Sequence, residues 1–107
     1  MDEEIKAIEK DYKDFYEKFT YLNKNTFSIN IIVNEDIKRK QSIFVKNNIL
    51  TLVIKFNNGY FEILNENLET GYNNIFENIE QIFNTFCPIT FVNFMKQKIK
   101  SKLSMLS

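Results

Sequence analysis

The chain reads as an α+β domain of two layers: a helix, a three- or four-stranded antiparallel meander, then two helices packed on one sheet face. Three observations predict it. Apolar residues recur at steps of three and four at both ends of the chain and at steps of two in its middle. Asn-rich turn segments divide the middle into strand-length pieces. Ile49 to Leu64, ILTLVIKFNNGYFEIL, is an alternating strand, an Asn-Asn-Gly reversal and a second strand in one run.

Taken in order, Ile5, Ile8, Tyr12, Phe15 and Phe19 share one stripe of an amphipathic helix expected from Asp2 to about Leu22. Asp2, Glu3 and Glu4 sit in its first turn, where negative charge is favoured by the exposed amides of the helix start. Asn23-Lys24-Asn25 ends it. Phe27, Ile29, Ile31 and Val33 alternate with Ser28, Asn30 and Asn34, giving a one-sided strand over Thr26–Val33 with Ile32 as its misfit. Asn34 to Gln41 is a charged connection. Ser42–Lys46 then forms either a short strand turned by Asn47-Asn48 into Ile49–Phe56, or the start of one long strand bulged at Asn47-Asn48.

Leu50, Leu52, Ile54 and Phe56 face one way and Thr51 and Lys55 the other, with Val53 alone spoiling the polar face. Asn57-Asn58-Gly59 tolerates the positive φ of a tight hairpin into Tyr60–Leu64. After a polar stretch, Ile75, Ile79, Ile82 and Phe86 resume helical spacing, predicting a helix over about Asn74–Phe86. Pro88 suits the first turn of a third helix, whose predicted apolar stripe is Val92, Met95, Ile99, Leu103 and Leu106.

At 107 residues the chain suits a single domain, 1–107, with a core that requires no disulfide or metal. Fourteen basic and fourteen acidic residues give a formal charge of zero, which argues against a phosphate-tracking surface and hence against nucleic acid as partner. A single cysteine cannot form an internal disulfide, and neither a signal-peptide core nor a membrane-length apolar run is present; a cytoplasmic or nuclear setting without a membrane partner is expected.

Candidate chemistry is sparse. Cys87, before a helix start, has a position that can favour thiolate, but the chain has no histidine to pair with it, and a cysteine between Phe86 and Pro88 fits a packed junction. Asp2, Glu3, Glu4, Glu9, Asp11, Asp14 and Glu17 read as the wet side of the first helix, and no metal or cofactor is expected. Lys96, Lys98, Lys100 and Lys102 spread around the last helix, where cations are favoured by the helix C-terminus and would also meet an acidic partner. Phe44, with Ile43 and Val45 on the opposite face, joins Ile32 and Val53 as a candidate exposed apolar patch for a partner protein or for a homodimer through the open sheet face.

The opening DEEIKAIEKDY, the strand Ser28-Ile29-Asn30-Ile31, the run Leu50–Phe56 and the segment Pro88-Ile89-Thr90-Phe91-Val92 together resemble, in order, the RWD domain family. Where that family carries a Tyr-Pro pair, Tyr60 is matched and Phe61 replaces the proline, so a plain hairpin at Asn57–Gly59 is expected in place of the family's multiple turn. The resemblance implies a ubiquitin-conjugating-enzyme-like fold without the catalytic cysteine, serving as an interaction module in translation-stress, GTPase-associated, ubiquitin or kinetochore assemblies. Asn65 to Asn74, where a conjugating enzyme would hold its cysteine, contains none, which leaves only a degenerate activity through Cys87 as the enzymatic alternative. Glu77–Pro88, ENIEQIFNTFCP, is similar to the corresponding helix and junction of the GSKIP family of glycogen synthase kinase-3 interaction proteins, which implies kinase binding through the last helix.

Overall fold

The computed structural model describes residues 3–33, 45–65 and 74–106, with 101–106 as helix backbone only. Its order is α1 (Glu3–Asp11), β1 (Lys18–Asn23), β2 (Thr26–Ile32), β3 (Val45–Lys46), β4 (Ile49–Asn57), β5 (Tyr60–Ile63), β6 (Ile75–Phe76), α2 (Ile79–Phe86) and α3 (Pro88–Leu106). The α+β class with helices on one face of an antiparallel sheet is as the sequence predicts, but the sheet has six strands among the described residues rather than three or four.

The first difference lies in the helix expected to run to Leu22. It stops at Asp11, and Tyr12, Phe15 and Phe19 follow its stripe only in spacing. Lys18–Asn23 pairs antiparallel with β2, from Lys18 opposite Asn30 to Asn23 opposite Thr26. Phe19 and Tyr21 then share the face packed against the core, and the Phe19 ring stacks on Phe27 with centroids 4.7 Å apart and planes at 10°. Alternating aromatic residues suit a pleated, half-buried surface at least as well as a helix turn, and the neighbouring strand decides between them.

β2 and β4 form the centre, with Phe27, Ile29 and Ile31 paired to Ile54, Leu52 and Leu50, all fully buried. Asn47 and Asn48 both have positive φ, 53° and 63°, so the two-residue turn into β4 is a tight hairpin and no bulge interrupts a longer strand. The second reversal is built alike, with Asn58 at φ 42° and Gly59 at 92° between the paired Asn57 and Tyr60. The strand order nevertheless departs from a simple meander at β3. Both β2 and β3 pair with Ile49 and Leu50, so β3 occupies the edge of β4 opposite β2, the edge that β5 uses further along.

α2 starts at Ile79, later than the spacing implies, because Ile75 and Phe76 pair with Glu62 and Phe61 as a sixth strand. Asn78 caps the helix by accepting from the Gln81 amide at 2.9 Å, while Gln81 Oε1 accepts at 2.8 Å from the amide of Glu77, the residue before the cap. α3 begins at Pro88 as expected. Its inward face is Phe91, Phe94 and Met95, whereas Val92 and Ile99 of the predicted stripe are 43% and 56% exposed. Both faces of this helix carry apolar residues, and the aromatic one takes the core: Phe91 and Phe94 join Tyr12, Phe15 and Phe83 in one ring cluster with centroid separations of 4.7–6.5 Å. Leu103 and Leu106 lie outside the described side chains. Among the described residues no helix is long and apolar enough to cross a membrane.

Candidate functional site

The open sheet face is built by the alternate residues of β2 and β4. Ile32 pairs with Ile49 at one end, Asn30 with Thr51 next, then Ser28 with Val53. Ile32 and Val53 are therefore separated by a polar row in which the Asn30 carboxamide donates to the Thr51 hydroxyl at 3.5 Å. At about 3.4 Å per residue, Ile49 and Val53 lie about 14 Å apart along the strand. Val45 packs against the core as expected, but Phe44, the third member of the suggested patch, lies outside the described residues. Ile32 itself is 49% exposed.

What Ile32 joins instead is a cleft of about 370 Å³. One wall is the connection from α1 to β1, with Asp14 and Glu17; the other is the first half of α3, with Ile89, Asn93 and Gln97; Phe15 and Phe94 line it between them. Two structural ties hold the first wall. The Glu17 amide donates to the Asn30 carbonyl at 2.7 Å, and the Phe15 amide donates to the Tyr12 carbonyl at 2.8 Å, closing the turn after α1. Tyr16 of the connection and Tyr21 of β1 are both fastened to the end of α1, since the Tyr16 hydroxyl donates to the Glu9 carbonyl at 2.9 Å and the Tyr21 hydroxyl to the Glu9 carboxylate at 2.7 Å. Burial, then the hydrogen bond and charge of Glu9, push the Tyr21 phenol up to about 12. The Tyr16 phenol is also raised, by burial and by Glu9.

A second, smaller groove of about 220 Å³ continues from the cleft, sharing Asp14, Phe94 and Gln97 and adding Asp11 and Lys98. The Lys98 ammonium stands 6.0 Å from the centre of the Phe94 ring. Of the four lysines singled out in the sequence, Lys96, Lys98 and Lys100 are exposed and only Lys98 lines this groove, while Lys102 lies outside the described side chains. The site unites acids, Ile32 and α3 residues from three distant stretches of chain, so no local motif announces it. The readable part was Ile32 as an apolar residue on the polar side of its strand.

Cys87 is fully buried between α2 and α3. Its amide donates to the Phe83 carbonyl and its carbonyl accepts from the Phe91 amide, both at 2.9 Å, so the residue serves as the hydrogen-bonded joint between two helices. Comparison with protein-family models, with curated proteins and with solved structures finds no match for this chain.

Proposed function

We propose that the chain is a non-catalytic protein-interaction module, an RWD-like adaptor that docks a partner protein at the cleft where the end of β2 meets α3. The observation that carries this reading is the convergence of Ile32 and Ile89, 49% and 60% exposed, on a concave site with an aromatic floor and a polar rim. Apolar anchors seated in such pockets and ringed by polar groups dominate binding energy at protein interfaces. The burial of Cys87 supports the non-catalytic side of the reading, since a thioester would need the sulfur within reach of solvent. Membership of a translation-stress, GTPase-associated, ubiquitin or kinetochore assembly rests on the RWD resemblance and is proposed with it.

A second reading has its own observation: Val92 and Ile99 project from α3 among Lys96 and Lys100, which supports a GSKIP-like helix that binds a kinase. Crosslinked affinity purification from the native cells, with Ile32→Glu and Ile99→Glu variants in parallel, separates the two. A partner lost with Ile32→Glu and kept with Ile99→Glu is expected. A kinase lost only with Ile99→Glu would move the function to α3, and a partner indifferent to both would remove the cleft from the mechanism.

A further inference from the structure

We propose that the cleft beside Ile32 receives a cationic segment of the partner protein, a lysine or arginine side chain flanked by aliphatic residues. This deepens the interaction-module reading and rests on it.

The Phe94 ring is common to the cleft and the smaller groove, and it is fixed by its neighbours, with centroids 5.0 Å from Phe15 and 6.0 Å from Tyr12. In the smaller groove the protein already seats a cation of its own beside that ring. Lys98 stands 6.0 Å from its centre, in a groove it shares with Asp11 and Asp14. That separation is within the range at which an ammonium is attracted to the face of an aromatic ring. The larger cleft repeats the components: the same ring, the Asp14 carboxylate again, and Glu17 in addition, both carboxylates on exposed residues. None of the described residues that line it is a lysine or arginine.

The remaining lining residues match the body of a long basic side chain. Ile32 and Ile89 offer apolar walls to its methylene stem, and the Asn93 and Gln97 carboxamides offer acceptor oxygens to its nitrogens. An anionic segment would meet two like charges here. A purely apolar one would strip water from two carboxylates and two carboxamides without replacing their hydrogen bonds, a penalty that area burial in so small a site does not offset. A cation satisfies both the rim and the floor, and charge-assisted hydrogen bonds to carboxylates are among the stronger contacts available to it.

The test is selection of a random dodecapeptide display library against the immobilised full chain. Enriched peptides are expected to carry Lys or Arg beside aliphatic residues and to shift the backbone resonances of Asn93, Phe94 and Gln97. Their affinity should fall by about tenfold or more in the D14N/E17Q double variant, whose exposed, isosteric changes spare the core. The same loss should appear when the peptide's basic residue becomes Glu, a change that leaves the protein untouched. Enrichment of acidic or uncharged peptides, basic peptides indifferent to D14N/E17Q, or no enrichment at all would overturn the proposal. Acidic or apolar peptides seated in the cleft would do so while leaving the docking site standing, whereas recovery of no Ile32-dependent partner from cells would remove the site as well.

Discussion

Asn65 pairs with Val53 as though its side chain were backbone. Its Oδ1 accepts from the Val53 amide at 2.9 Å, and its Nδ2 donates to the Thr51 carbonyl at 2.9 Å, directly beyond the point where the Leu64 amide donates to the Val53 carbonyl at 2.8 Å. β5 ends at Ile63 and β3 reaches only Ile49 and Leu50 on this edge of β4, so a gap opens opposite the middle of the longest strand. A carboxamide has the same donor and acceptor as a peptide group and fills that gap without requiring a further strand residue.

Replacing Asn65 by Ala should therefore leave two β4 backbone groups without their partner and cost about 1–3 kcal/mol, read in urea unfolding. Hydrogen exchange at the Val53 amide should quicken far more than at Leu52, which lies against β2. Asn65→Asp keeps the acceptor, replaces the donor with negative charge against the Thr51 carbonyl, and should also destabilise. Unchanged Val53 protection in Asn65→Ala would show that the bridge contributes nothing.

Phe83 is the hub of the ring cluster, with centroids 4.7 Å from Phe15, 5.2 Å from Tyr12 and 5.4 Å from Phe91, and it is fully buried. Phe83→Ala should cost about 3–5 kcal/mol, against a total of about 5–15 kcal/mol for a domain of this kind. Phe83→Leu, which keeps most of the volume, should cost less. Because the cluster sets the floor of the cleft through Phe15 and Phe94, the Leu variant should fold yet bind the partner more weakly. Full affinity in a folded Phe83→Leu protein would uncouple the core from the site.

Some of this was legible in the sequence and some was not, for physical reasons. The hairpins at Asn47-Asn48 and Asn58-Gly59 are readable because positive φ is a local demand that few residues meet. β2 and β4 are readable because one face is buried and the other wet. Lys18–Asn23 is not, since Phe19 continues the spacing of α1 while also alternating with Tyr21, and only pairing with β2 resolves the ambiguity. Ile75-Phe76 is too short to show any period, although the Asn78–Gln81 cap could have set the start of α2. α3 is apolar on two faces, and which one packs depends on rings contributed by α2 and the α1–β1 connection. The cleft is assembled wholly by such long-range packing. Of its residues Ile32 stood out as an apolar misfit on its strand, whereas Asp14 and Glu17 read only as the wet side of a helix.

Alkaline pH should loosen the protein through its tyrosines. Burial first, then the charge and hydrogen bond of Glu80 at 3.3 Å, push the Tyr12 phenol up to about 12, as burial and Glu9 do for Tyr21. An unfolded tyrosine titrates near 10. Both groups hold their proton more tightly when folded, so their contribution is complete below about pH 10 and is lost as pH rises through about 12. Urea midpoints should fall over that window, and Tyr21→Phe should flatten part of the fall. Absorbance titration of Glu9→Gln should show the Tyr21 and Tyr16 phenols both moving back toward 10, and an unaltered curve would break the link of Glu9 to these tyrosines.

The thiol of Cys87 should be silent until the fold opens. It is fully buried, and the helix joint around it is closed by the two 2.9 Å backbone bonds to Phe83 and Phe91. Reaction with a disulfide reagent should be slow in buffer and immediate in denaturant, with the native rate tracking opening of the α2–α3 joint. Cys87→Ala, a small change at a packed site, should cost stability and leave partner binding intact. A conjugating enzyme would behave in the opposite way, with a thiol reactive in the folded state and a function abolished by its removal. Rapid native modification together with loss of function in Cys87→Ser would overturn the adaptor reading and restore the enzymatic one.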